Sequence, residues 1–147
     1  MKVRGQKGQS TVELALTILI FLAMMVVLAD MVKICYEWVS LQFAVNEGAR
    51  FGSLGETSGS LDREASIEAK VVEIAGNLGV SNVTVSFVDD TGGGTPGAPL
   101  TFYRLQAQTP VSLNPVSNLL LSFVGNYANQ VYNVTAETLI RNEPFSP

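Results

Sequence analysis

The feature that most constrains this chain is the apolar run from Leu14 to Ala29, LALTILIFLAMMVVLA, in which Thr17 is the one polar residue. A helix that crosses a membrane needs roughly 20 predominantly apolar residues. With the residues on either side, the segment reaches that length and meets charges, at Asp30 and Lys33, only near its end. The sequence therefore predicts one membrane-spanning helix over about residues 12–34.

Charge is distributed unevenly around this run. Lys2, Arg4 and Lys7 precede it, whereas the whole chain has nine basic and thirteen acidic residues and a net charge of −4. Without the first eight residues, six basic residues would face the thirteen acidic ones. This acidity argues against binding to nucleic acid, because phosphate recognition depends on clustered Lys and Arg. The expected partner of the apolar run is membrane lipid.

The chain offers few side chains for catalysis or metal binding. It has no His, which removes the commonest general base and the commonest metal ligand. Cys35 is the single cysteine, so it forms no disulfide within the chain; we expect a small buried side chain, with an interchain bond or lipidation as alternatives. Asp89 and Asp90 precede a glycine-rich stretch, but their spacing matches no regular calcium loop. We expect no enzyme activity, no catalytic or metal-binding residue and no cofactor.

Helical periodicity continues beyond the apolar run. Apolar residues recur there at steps of four, three and four, at Ile34, Trp38, Leu41 and Val45. The pattern predicts a single helix from about Ser10 to Phe51, roughly 60 Å long at 1.5 Å per residue. Tyr36 and Trp38 lie where an interfacial aromatic belt is expected.

Beyond Gly52 the pattern changes to a mixture of helices and strands. Hydrophobic periods and turn residues predict helices over Leu61–Leu78 and Pro115–Phe123, and strands over Val80–Val88, Leu100–Val111 and Gln130–Ile140. The predicted fold class is α+β. A long N-terminal helix, membrane-spanning in its first half, would carry a small head of helix packed on a mostly antiparallel three-stranded sheet.

The junction before the apolar run resembles a type IV prepilin cleavage site. In such sites a glycine precedes the cut and a glutamate is the fifth residue of the mature chain, as Gly8 and Glu13 would be for a cut before Gln9. Glycine lets an extended backbone enter a peptidase cleft, and a lone carboxylate in an apolar helix is costly unless it is paired. The resemblance implies pairing with the N-terminal amine of a neighbouring subunit. Alternatively, Glu13 stabilises the helix N-terminus or forms a capping box with Ser10.

Longer stretches resemble TadE-like minor pseudopilins of the tight-adherence system, which builds the Flp type IVb pilus. They are residues 8–33, the segment Ala44–Phe51 with sequence AVNEGARF, and the closing strand Val134–Glu143. The family often has Pro in the middle of its membrane run, and this chain has none there. Its length favours a minor subunit over the much shorter major pilins, and TadF-like or TadG-like relatives stay open.

The resemblance implies a minor pseudopilin that a prepilin peptidase processes and that acts in assembling or anchoring a Flp pilus or a related secretion machine. Implied partners are the prepilin peptidase, sister pseudopilins and the pilus assembly platform, with the major pilin as a further candidate. The implied place is the bacterial cytoplasmic membrane, with a cytoplasmic N-terminus and a periplasmic or extracellular C-terminal domain, or the pilus itself. The expected packing face of the membrane helix is Leu14, Ile18, Phe21, Met25 and Leu28.

Three regions are expected on this interpretation: a basic leader over 1–8 that is removed, the long helix over 9–51, and an extracytoplasmic head over 52–147. Two other classes stay open. An uncleaved, membrane-tethered binding domain would keep its N-terminus and form a pocket in the head. A secreted soluble protein with an ordinary signal peptide would begin near residue 30, although the apolar run is long for one and no small-residue cleavage site follows Ala29.

Overall fold

The computed structural model describes residues 6–54, 62–88, 102–125 and 131–141. In chain order the elements are α1 (Gln6–Ser53), α2 (Arg63–Asn77), β1 (Thr84–Val88), β2 (Phe102–Ser112), α3 (Pro115–Val124) and β3 (Val131–Arg141). The strands form an antiparallel sheet in the order β1-β2-β3. The α+β class predicted from the sequence, with its long first helix and three-stranded sheet, is confirmed.

The chain divides into two compact units. One, here called the apolar unit, comprises Met1–Lys33 and Ser112–Val131. The other, the core unit, comprises Ile34–Val111 and Tyr132–Pro147. The first half of α1 is thus grouped with α3, while the second half of α1 is grouped with α2 and most of the sheet.

In the apolar unit, α1 begins earlier than predicted. It starts at Gln6, so Ser10 lies inside the helix and is not its N-cap. Gln and Lys are good helix formers, and adding a residue to a helix that already exists is easy, so Gly8 does not stop it. The helix is long and apolar enough to cross a membrane, and none of its most apolar window is buried.

The core unit is built where α2 lies against the second half of α1. The fully buried side chains of this core are Leu41, Ala44, Val45, Ile67, Val71, Ala75, Tyr103, Leu105 and Ala107. Gly48 and Gly52, one turn apart on α1, let α2 come close. A β-carbon at Gly48 would run into Val71, and one at Gly52 would lie 2.7 Å from Ile67 Cδ1.

Strand β2 shows most clearly the alternation of buried and exposed residues that is typical of a half-buried strand. Along β2, Tyr103, Leu105 and Ala107 are buried while the residues between them are partly exposed. Across the β1–β2 pair, Val85 lies opposite Ala107 and Phe87 opposite Leu105, so apolar pairs face the core.

The first strand is shorter than predicted, because the turn that ends α2 uses the residues before it. Gly79, at φ 80°, adopts the left-handed conformation common just after a helix, and the Val80 amide donates to the Ala75 carbonyl at 2.9 Å. Asn82, at φ 57°, then redirects the chain. Strand pairing therefore starts at Thr84 and not at Val80.

Arg63 and Tyr103 lie beside the end of α1. The Arg63 guanidinium donates to the carbonyl of Gly52, one of the last-turn carbonyls that have no partner within the helix. Burial raises the pKa of the Tyr103 phenol, and the nearby Arg63 charge partly opposes that rise. Because the unfolded chain then ionises first, the free energy of unfolding falls as the pH rises above about 10.

Replacing Gly48 with alanine tests the close approach of α2. We expect Gly48→Ala to lower the free energy of unfolding by about 1–3 kcal/mol, because Val71 must move to admit the methyl group. Gly76→Ala is the matched control, since an added β-carbon there meets nothing within 4 Å. In a helix it should stabilise by about 0.5–1 kcal/mol. Thermal unfolding of the detergent-solubilised chain would measure both, and a stabilising Gly48→Ala would contradict the packing described.

Candidate functional site: the first half of α1

The predicted cleavage junction lies on an exposed part of α1. Gly8 and Gln9 are both exposed helical residues. A β-carbon added at Gly8 would meet nothing within 4 Å. Packing among the described residues therefore gives no reason for a glycine at this position.

Glu13 lies on the exposed surface of α1, one turn beyond Gln9. Its Oε1 accepts a hydrogen bond from Gln9 Nε2 at 3.1 Å, and its backbone carbonyl accepts one from the Thr17 hydroxyl at 2.9 Å. The first turn of α1 has no acidic residue, so Glu13 lies beyond the positive end of this helix. The capping box with Ser10 is wrong, because Ser10 is itself helical.

The predicted packing face runs along the exposed side of α1 within the apolar unit. Its residues and their exposed fractions are Leu14 61%, Ile18 49%, Phe21 59%, Met25 51% and Leu28 45%. Their spacing of four, three, four and three residues puts them on one face of the helix. This face is open to lipid or to another helix, and its role in packing stays a prediction.

The apolar run ends in two polar contacts that the sequence analysis missed. Asp30 is 8% exposed, and its carboxylate oxygens lie 3.2 and 3.3 Å from the backbone nitrogen of Asn114, which donates to them. Lys33 Nζ donates to the carbonyl of Ser112 at 3.2 Å. These bonds attach the residues before α3 to α1. An acidic residue interrupting an apolar helix was the available signal, since such residues normally have a partner.

Three residues just beyond the run differ in their surroundings. The Tyr36 hydroxyl donates to the Leu78 carbonyl at 2.9 Å, and Trp38 is half-exposed. Their interfacial role stays a prediction. Cys35 is exposed, so the expectation of a buried side chain is wrong. Cys35 lies off the face of α1 that buries Leu41.

The core unit has an open depression at the start of α2. It is lined by Asp62, Arg63, Glu64, Ala65, Glu68, Val85 and Phe87. Within the described ranges, no group of three or more His, Cys, Asp or Glu side chains is arranged to hold a metal ion. Asp89 and Asp90, weighed above as a calcium loop, lie outside those ranges.

Comparison with known protein families identifies the first third of the chain. The family model for TadE-like protein matches residues 8–50. This stretch is a TadE-like segment. The resemblance predicted from the sequence is thereby confirmed for residues 8–50, and the match supports a protein related to the Tad pilus. No curated protein and no solved structure matches the chain.

The TadE-like segment contains the features described above. It begins at Gly8, includes Glu13 and Asp30, and ends at Arg50, just after the tightly packed Gly48. The family is one of pilus components and is not known for catalysis. With an exposed apolar helix at its centre, the segment fits a membrane-anchored pilus component.

Replacing Asp30 tests the attachment of the residues before α3. Asp30→Ala removes the acceptor of the part-buried hydrogen bond from the Asn114 amide, and a typical hydrogen bond contributes about 0.5–1.5 kcal/mol. We expect faster hydrogen exchange at the Asn114 amide. Asp30→Asn keeps an acceptor oxygen and should change the exchange less. An unchanged rate in Asp30→Ala would show that the contact does not hold this segment.

Proposed function

We propose that this chain is a minor pseudopilin, cut by a prepilin peptidase between Gly8 and Gln9, that helps to assemble or anchor a Tad-type pilus or a related secretion machine. The observation that carries the proposal is the exposed start of the TadE-like segment. There, a glycine without a packing role, an exposed carboxylate and an uncovered apolar helix occur together.

Gly8 supports the processing step. An added β-carbon meets nothing, so the fold of the described residues places no demand for glycine there. A peptidase that binds the chain in an extended form would require glycine at this position, because a side chain next to the cut would fill space in its cleft. Cleavage requires that the first turns of α1 unwind locally, and helix ends fray readily.

Glu13 supports the assembly step. Apart from Thr17, the apolar run that follows Glu13 has only apolar side chains, and a carboxylate beside such a run in lipid is costly without a cationic partner. Cutting after Gly8 would create a new amine on Gln9. A neighbouring subunit's amine could then pair with Glu13 and offset this cost, while Gln9 of the same chain donates only a neutral hydrogen bond.

The apolar face supports assembly through helix packing. Leu14, Ile18, Phe21, Met25 and Leu28 are left uncovered, so sister pseudopilins or the assembly platform could pack against them within the membrane. In this proposal the leader over 1–8 stays cytoplasmic under the positive-inside tendency, and the region over 52–147 lies outside the cytoplasm. The major pilin is a further candidate partner.

A second candidate is an uncleaved, membrane-tethered binding domain. The observation that favours it is the open depression at the start of α2, where the carboxylates of Asp62, Glu64 and Glu68 outnumber the guanidinium of Arg63 and Phe87 adds an apolar wall. Such a depression could receive a cationic or apolar ligand. The two candidates differ in the fate of the N-terminus, because a tethered binding domain keeps Gly8 joined to Gln9.

Substitution of Gly8 tests processing. We expect Gly8→Val to block cutting and Gly8→Ala to slow it, because each adds bulk beside the bond that is cut. Neither should disturb the fold, since an added β-carbon at Gly8 meets nothing. Ala15→Val, which adds the same branch on the exposed helix away from the junction, is the control. The mass of the protein recovered from membranes reports the cut, and normal cutting of Gly8→Val would contradict the proposal.

Substitution of Glu13 tests assembly separately. We expect Glu13→Ala to be cut normally but to reduce pilus assembly strongly, because a neighbouring subunit's amine would lose its partner. Glu13→Asp keeps the charge and should retain part of the function. Counting pili on cells that carry each variant, with cleavage checked by mass, would measure the effect. Normal piliation of Glu13→Ala would show that the carboxylate has no pairing role.

A further inference from the structure

The short helix α3 presents an exposed apolar face. Val116 is 47% exposed, Leu119 59% and Phe123 79%. At about 100° per residue, these three side chains lie within roughly 60° of one another around the helix. Among the described parts of the chain, Phe123 is the most exposed large hydrophobic residue. Such a face is costly in water and indicates a contact that the isolated chain does not make.

The sequence around α3 carries no charge. No Asp, Glu, Lys or Arg occurs between Arg104 and Glu137, although the chain has thirteen acidic and nine basic residues. A charged side chain is the group that lipid excludes most strongly. The interval that contains α3 is therefore free of the groups that would keep it in water.

The attachment of α3 to α1 fixes where this face lies. Asp30 accepts a hydrogen bond from the Asn114 amide, and Lys33 donates one to the Ser112 carbonyl. Asn114 and Ser112 lie directly before α3, which begins at Pro115. Asp30 and Lys33 are also the first charges after the apolar run. If α1 spans the membrane, these two residues mark the boundary between hydrocarbon and water, and α3 starts at that boundary. The grouping of 112–131 with the apolar half of α1 agrees with this position.

Several polar groups in and beside α3 have partners within the protein, whereas the buried Ser117 hydroxyl and Asn118 Oδ1 have none among the described residues. Asn118 Nδ2 donates to the Leu113 carbonyl at 3.2 Å, and the Ser122 hydroxyl donates to the Leu119 carbonyl at 2.6 Å. The Gly125 amide donates to the Leu121 carbonyl at 3.0 Å. The three bonded groups lose less on leaving water, and Ser117 is already buried within the protein. Both facts lower the cost of placing the helix among lipid headgroups and upper acyl chains.

We propose that α3 is an interfacial membrane helix whose face of Val116, Leu119 and Phe123 inserts among lipid acyl chains beside the point where α1 leaves the bilayer. Helices of this type bury an apolar face about 5–10 Å into the boundary region. The protein would then contact the membrane twice, through the span and through α3. The inference rests on the proposed function only in that α1 crosses the membrane.

Fluorescence quenching by lipid tests the proposal in the full-length chain. Cys35→Ser provides the background, and single cysteines introduced as Leu119→Cys or Phe123→Cys carry an environment-sensitive nitrobenzoxadiazole label. The protein is reconstituted in phosphatidylcholine–phosphatidylglycerol vesicles, with or without phosphatidylcholine brominated on its acyl chains. Ile18→Cys, within the apolar run, is the positive reference. Val72→Cys, exposed on α2, is the negative reference.

The expected result is a blue-shifted emission that brominated lipid quenches at Leu119→Cys, Phe123→Cys and Ile18→Cys, but not at Val72→Cys. Quenching at residue 18 without quenching at 119 and 123 would overturn the inference and leave the proposed function intact. A blue shift at 119 and 123 without quenching would overturn it in favour of a protein partner. Absence of quenching at residue 18 would remove the membrane span, and with it both proposals.

Discussion

The uncovered apolar half of α1 is the constraint on which the rest of the structure depends. Seven large aliphatic or aromatic side chains between Leu14 and Leu22 are about half exposed or more. Each such side chain contributes about 1.5–3 kcal/mol on full burial, so leaving this stretch in water would cost on the order of 10 kcal/mol. That is comparable to the whole stability of a typical domain, about 5–15 kcal/mol. The helix therefore needs lipid or other protein around it, and the proposed membrane insertion and subunit packing would meet that need.

The second half of the same helix is instead covered by other parts of its own chain. Leu41, Ala44 and Val45 are fully buried, and Gly48 allows Val71 of α2 to come close to the helix backbone. One continuous element thus changes its surroundings near Lys33. The TadE-like match spans that change, from the exposed Gly8 to Arg50 beside the packed glycine.

Periodicity was sufficient to predict most of the fold, because it reports which side of an element is buried. The alternation of Tyr103, Leu105 and Ala107 in β2 is an example. The pattern failed where two local structures compete for the same residues. Val80 fits the apolar pattern of a strand, yet its amide is used in the turn that ends α2. The contact of Asp30 with Asn114 joins residues far apart in sequence, so no local pattern could specify it. For the candidate site, Gly8 and Glu13 were recognised from their spacing, but their chemistry involves other molecules and is not fixed by this chain alone.

The central claim is that cutting between Gly8 and Gln9 converts this chain into a membrane-embedded pseudopilin subunit. The most direct test is the N-terminal mass of the unaltered protein isolated from membranes of cells with and without a prepilin peptidase. The account predicts a chain that begins at Gln9 only when the peptidase is present, and at Met1 when it is absent. A chain that begins at Met1 in both would contradict the account and favour a tethered binding domain. A start near residue 30 would identify an ordinary signal peptide and exclude the membrane-embedded subunit.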